Sequence, residues 1–188
     1  LTCLNMAQQG LFGEVIHAQG AYIHNLEPFW AHYQGNWRLD FNQKHVGDVY
    51  ATHGLGPVCQ VLDIHRGDKM EYLVSMSTPS YNGKKIAEEM MGTEDFANGD
   101  MTSTLIKTNK GKTILIQHNV YTPRPYDRLY QLTGTEGFAN KYPYQGFTLK
   151  EENVPSDVIP DHEKLDEHGF VSNEVRDSLL VAYKHPIA

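Results

Sequence analysis

The stretch STLIKT (103–108), NKG (109–111) and KTILIQHNVY (112–121) reads as strand, turn and strand. Ile, Thr and Val suit a pleated, half-buried surface, and Asn109-Lys110-Gly111 between two such runs is a hairpin signal. Outward from this pair, Arg128 to Gly134 continues as a strand, and Phe138 to Leu149 adds one around Gly146. Upstream, Met70 to Ser77 and Gly13 to His24 carry the same character, the latter through Val15, Ile16, Ala18, Ala21, Tyr22 and Ile23.

Helical signals gather toward the two ends. Thr2 to Gly10 reads as the end of a helix closed by a C-terminal glycine, and Ser156 to His168 and Ser172 to Tyr183 as two further helices, the second capped by Ser172. Tyr81 to Met91 is a short helix or loop, and the aromatic run from Phe29 through Trp30, Tyr33 and Trp37 to Phe41 reads as a loop. Gly47 to Ile64 turns helical late in its span, through Leu55, Val58, Cys59 and Leu62. Because the ring of Pro57 would clash with the carbonyl of His53, a helix either begins near Gly56–Pro57 or is kinked there. Strands in the middle with helices at the ends predict an α+β domain on a mostly antiparallel or mixed β-sheet with flanking helices.

Composition narrows the function classes. The 188 residues are 40% hydrophobic and 21% charged, ordinary for a globular domain. The formal charge of −7 argues against a nucleic-acid partner tracking phosphates. No apolar run reaches the ~20 residues of a membrane helix. The two cysteines, Cys3 and Cys59, lack metal-ligand spacing and leave one disulfide open, and no His or carboxylate spacing points to a metal. His17 and His24 fall on opposite faces of a strand, and His162 and His168 stand six apart in a charged helix. The Gly-x-Gly-x-x-Gly dinucleotide fingerprint is absent. The chain opens at Leu1 without an initiator Met and stops just after an amphipathic segment, which predicts a piece of something longer.

Three segments could carry chemistry. In YATHGLGP (50–57), Tyr50 and His53 share a face of one helical turn. The imidazole titrates near neutrality, whereas a phenol moves protons only if a cation or hydrogen bonds lower its pKa. A capped helix entry with one satisfied histidine explains the same residues. In NWRLD (36–40), Trp37 offers a flat apolar face and Arg38 a fork of donors, against a surface Arg38–Asp40 pair beside a core tryptophan. In TPRPYD (122–127), two prolines hold Arg124 and Tyr126 extended, or simply stiffen a link between strands.

Taken together, LNMAQQGLFGEV (4–15), GAYIH (20–24), WRL (37–39), YATHGLGP (50–57), RGD (66–68), YLVS (72–75), PRPY (123–126), GTEGFA (134–139) and KHPI (184–187) closely resemble glycoside hydrolase family 109. This is a family of bacterial α-N-acetylgalactosaminidases within the Gfo/Idh/MocA oxidoreductase superfamily. The resemblance implies an N-terminal Rossmann domain holding NAD and a C-terminal domain with an open-faced sheet that forms the sugar site. Residues 1–188 look like an interior part of that C-terminal domain, with the Rossmann fingerprint lying before Leu1. The implied substrate is a glycan ending in N-acetylgalactosamine. The implied chemistry is oxidation of the sugar at carbon 3, proton loss at carbon 2, elimination of the aglycone, addition of water and reduction back.

By motif, the resemblance places Arg38, Tyr50, His53 and Tyr126 against the sugar ring, with Tyr50 or His53 moving the proton and Arg38 and Tyr126 binding. It also implies pairing of subunits through the sheet face, and placement outside the cytoplasm if an export signal lies upstream. The residues 188 long, tested alone, should not turn over, because no segment cradles a pyrophosphate. Family members vary around the aromatic run, here Phe29-Trp30-Ala31-His32-Tyr33, so the aglycone is left open. An NAD(P)-dependent sugar dehydrogenase on the same fold is the alternative, and a non-catalytic sugar-binding relic a third reading.

Overall fold

The computed structural model describes residues 1–150, 153 and 169–187. Its frame is a seven-stranded mixed sheet in the order β2-β3-β4-β1-β5-β6-β7. The strands are β1 (Val15–Ile23), β2 (Met70–Ser77), β3 (Thr102–Thr108), β4 (Thr113–Asn119), β5 (Tyr130–Gly134), β6 (Gly137–Lys141) and β7 (Gly146–Leu149). Only β1 with β4 is parallel; every other neighbouring pair is antiparallel. The turn read at 109–111 is the β3–β4 hairpin, closed by Gly111 at φ +83. The single strand expected around Gly146 is in fact two, β6 and β7, paired antiparallel.

The helices are α1 (Thr2–Gln8), α2 (Trp37–Lys44), α3 (Ala51–Val61), α4 (Asn82–Met91) and α5 (Asn173–Ala182), with a 3-10 turn over Glu27–Tyr33. Gly10 closes α1 as read, at φ +82, with its N–H on Ala7 O and that of Leu11 on Met6 O. Ser172 caps α5 through its hydroxyl, which accepts from Val175 N–H. The helix expected over 156–168, with His162 and His168, lies outside the described residues. Cys3 and Cys59 are free thiols.

Two expectations are corrected. The aromatic run is not a loop: it folds as the 3-10 turn and α2, which Asn36 caps by accepting from Arg38 N–H at 3.1 Å. Of the two alternatives read at Pro57, the start near Gly56–Pro57 is the one excluded: α3 begins at Ala51 and carries Pro57 inside it. Eleven residues of helix outweigh the one backbone bond that Pro57 cannot donate to the His53 carbonyl.

Helix α3 lies across β1 at a contact of two glycines. A Cβ on Gly20 would stand 2.5 Å from Gly54 O, and one on Gly54 would stand 2.8 Å from Ala21 N. Only a pair without side chains brings the two backbones this close. The crossing divides the interior. On one side an aliphatic core gathers Met6, Phe12, Ala18, Val58, Ile114, Leu132, Phe147 and Leu179. On the other a ring-rich cluster gathers Tyr22, Trp30, Leu39, Tyr50, Phe96 and Tyr121.

Candidate functional site

The glycine crossing sets the start of α3 over the end of β1. Asp48 Oδ1 accepts from Tyr50 N–H at 2.8 Å, and the next turn closes with His53 N–H on Tyr50 O at 2.9 Å. Both side chains thereby meet Tyr22, which period two places on the same face of β1 as Gly20. Tyr22 stacks on His53 with ring centres 4.6 Å apart and meets Tyr50 at 4.8 Å. Beneath them, parallel pairing sets His118 of β4 level with Tyr22. His118 is fully buried, with its ring 5.5 Å from that of Tyr50.

Arginines stand on two flanks. Arg38, in the first turn of α2, donates through Nη1 to Tyr33 Oη at 3.0 Å and holds its guanidinium carbon 5.8 Å from the Tyr50 ring centre. Its backbone carbonyl accepts from Asn42 Nδ2, and Asn42 is tied to Asn98, a buried pair that pins α2. The expected Arg38–Asp40 pair is replaced by this phenol contact; Arg38 has no carboxylate partner among the described residues. The core tryptophan is Trp30, while Trp37 is 58% exposed beside Arg38. On the other flank, Arg128 lies 5.1 Å from the Tyr22 ring centre.

Tyr126 is delivered by a bridge between Asp127 and Ile23, which exchange both backbone hydrogen bonds. It stands 46% exposed, 5.0 Å from His24 and 5.8 Å from the Arg128 guanidinium carbon. Tyr126, Arg128 and His53 line one cavity of about 590 Å³, together with Lys141 and the first residues of α1. Of the four residues singled out by motif, Tyr50 and His53 pack on Tyr22 and Arg38 stands beside Tyr50, while His53 and Tyr126 line the cavity. Arg124 is exposed and is not among the residues lining the cavity.

The two proton-transfer candidates separate on electrostatics. Burial pushes the Tyr50 phenol up to about 12, overriding the nearby Arg38. A cation is present, as a phenolate would need, but desolvation is the larger effect. His53 moves the opposite way: burial first, then Arg128 and Arg38, hold its imidazole below the ordinary value. At neutral pH His53 is uncharged and able to accept a proton, whereas Tyr50 is a donor only.

Tyr22, His118 and Arg128 were not found from the sequence. Tyr22 carried a usable signal, since it alternates with Gly20 in a strand. His118 and Arg128 carried none, because their placement follows from a parallel register and a strand end that no local pattern encodes. Among the described residues no group of three or more His, Cys, Asp or Glu could hold a metal ion.

Comparison with known proteins gives the chain a family and its fold known neighbours. Residues 1–187 match the family model described as glycosyl hydrolase 109, C-terminal domain. A relative from Bacteroides fragilis, glycosyl hydrolase family 109 protein 1, is 61% identical across the whole chain, which spans 41% of that protein. Two solved structures share the fold. An NAD binding oxidoreductase from Klebsiella pneumoniae matches with TM-score 0.57 at 15% identity, over 90% of this chain and 42% of that one. An inositol dehydrogenase homolog from Azotobacter vinelandii, complexed with NAD+, matches at 0.52 and 13%, over 97% and 49%.

Proposed function

The chain belongs to glycosyl hydrolase family 109, whose C-terminal domain it matches, and from that premise we propose that the intact protein releases terminal α-linked N-acetylgalactosamine from glycans with the help of NAD. The observation that carries this reading is the placement of the His53 imidazole, with Tyr126, on the wall of a cavity, with Tyr50 and then Arg38 packed behind it. An amino sugar offers hydroxyls and an amide to the donors and a flat apolar face to the rings.

This chain fits one end of a dinucleotide. It has no Gly-x-Gly-x-x-Gly turn to cradle a pyrophosphate, and in this reading the phosphates are held outside residues 1–188. His53, Tyr126 and Arg128 line a cavity of about 590 Å³, the wall that would take the cofactor's nicotinamide end. When bound, the dinucleotide supplies a reversible hydride acceptor for carbon 3 of the sugar.

The chain's own residues do the rest. Arg38 and Tyr126 orient the ring, and Tyr50, held protonated, donates a hydrogen bond. His53 takes the acidified proton from carbon 2 and returns one as water adds. Positioning of this kind is the protein's share of a cofactor reaction. The test is release of p-nitrophenol from the α-N-acetylgalactosaminide by intact protein purified with its cofactor, with no NAD+ added. Net NADH formation from free sugar without glycoside cleavage would instead identify a dehydrogenase.

The sheet offers a docking face as well. Tyr72, Val74 and Met76 alternate along β2, and Val74 pairs with Leu105 of β3; all four are exposed on one face. A second copy of the chain would cover it, so Val74→Lys is expected to shift the intact protein to monomer in sedimentation.

A further inference from the structure

Arg38 and Arg128 flank the stacked rings, and neither has a carboxylate partner among the described residues. In a chain of net charge −7, two unneutralised cations beside one imidazole mark a place that receives negative charge. They are not equivalent. Arg38 spends a donor on Tyr33 Oη. The Arg128 guanidinium rests on the rings of Tyr22 and Tyr126, and its Nε–H is buried without an acceptor among the described residues. A buried donor left unpaired is costly, and a guanidinium held on ring faces keeps its edge free for an oxygen. Its side chain lines the cavity that His53 and Tyr126 also line.

We propose that Arg128 is a further catalytic residue of this site, donating to the oxygen on carbon 3 that turns anionic when the carbon 2 proton leaves. The inference rests on the reading above, in which carbon 3 is a carbonyl before the proton leaves, an oxidation that a bound nicotinamide dinucleotide would supply. His53 accepts the proton. The electrons of the broken C–H bond form the carbon 2–carbon 3 double bond, and the carbonyl π pair moves onto the oxygen. As that pair returns, the double bond shifts to carbon 1–carbon 2 and the aglycone departs with its bonding electrons. Arg128 neither gains nor loses a proton. Because the substrate brings no charge, its contribution appears after proton removal and belongs to kcat, not to sugar affinity.

The experiment uses intact protein with its bound dinucleotide and compares wild type with Arg128→Ala and Arg128→Lys. Four quantities are read: p-nitrophenol release, N-acetylgalactosamine affinity by calorimetry, exchange of the carbon 2 hydrogen in deuterated water, and rescue by guanidinium ion. Arg128→Ala is expected to lower kcat and exchange by about 100-fold or more, to leave sugar affinity within about threefold, and to regain about tenfold with guanidinium. Arg128→Lys, which preserves the stem and the charge, should fall between the two and covers the case in which the alanine variant fails to fold. Exchange and kcat within about threefold of wild type in the folded variants would overturn the inference. So would a loss confined to sugar affinity, which identifies a ground-state contact or an anionic ligand. A wild type that neither cleaves nor exchanges overturns the underlying reading itself, a result distinct from any behaviour of the variants.

Discussion

Strand β1 and helix α3 each run through two unlike interiors. At one end Ala18 and Val58 join Met6, Ile114, Leu132, Phe147 and Leu179, all fully buried and free of polar side-chain atoms. At the other end Tyr22 and Tyr50 meet His118 in a cluster that also holds Trp30, where Tyr50 Oη, Trp30 Nε1 and both His118 nitrogens are buried without a hydrogen-bond partner among the described residues. Each such group costs about 1–3 kcal/mol. The aliphatic end stabilises the domain; the ring end holds polar groups that stability does not require. The Gly20–Gly54 crossing lets one helix serve both.

The sharpest break between the two ends should come from one substitution in each. Phe147→Ala should lower stability by about 3–5 kcal/mol, read from hydrogen exchange of β4 amides, with little change in activity per folded molecule. His53→Ala should do the reverse, cutting kcat about 100-fold or more while melting hardly moves. If both lose the same property, the division is false.

Acid should act on the ring end. Burial holds His118 at about 4, against an ordinary 6.5, so the unfolded chain takes up its proton first as pH falls. Stability from this group is therefore complete above pH 6.5 and disappears toward pH 4, by about 3 kcal/mol. Asp48, pushed up to about 6 by burial, titrates with the opposite sign, since its protonated form is the one the fold prefers. The comparison is accordingly wild type against His118→Phe, in which Asp48 cancels. Parallel stability curves between pH 4 and 6.5 would show that His118 is not desolvated as described.

A methyl group at the crossing should cost less. Gly54→Ala sets a Cβ 2.8 Å from Ala21 N and is expected to lower stability by about 1–3 kcal/mol while moving His53 off Tyr22. Loss of activity greater than the loss of stability would show that the crossing positions the site. The smallest effect is electrostatic. Arg38→Gln removes one of the cations that hold His53 down, so the acid limb of kcat/KM should move to higher pH. A limb that stays in place would mean that His53 is not the group titrating.

Local chemistry made much of the fold legible. Gly111 in a hairpin, Gly10 behind α1 and Ser172 before α5 act on backbone groups within a few residues of themselves, so sequence and structure agree there. The aromatic run was misread because apolar rings masked the cap at Asn36, whose bond to Arg38 N–H is what starts α2. At Pro57 the sequence left two alternatives, and packing of α3 across β1, which outweighs one missing backbone bond, selects the helix that runs through it.

By itself the sequence determined several strands, one hairpin and the caps of two helices, and its motifs singled out four side chains as candidates for a sugar site. Only the tertiary structure set Tyr22 and His118 against Tyr50, stacked His53 on Tyr22 and brought Arg128 over the Tyr22 ring, and buried Tyr50 and His53 so that their pKa values move apart. Both follow from long-range contact: a parallel register and a glycine crossing set which groups lose water, and loss of water separates the two pKa values.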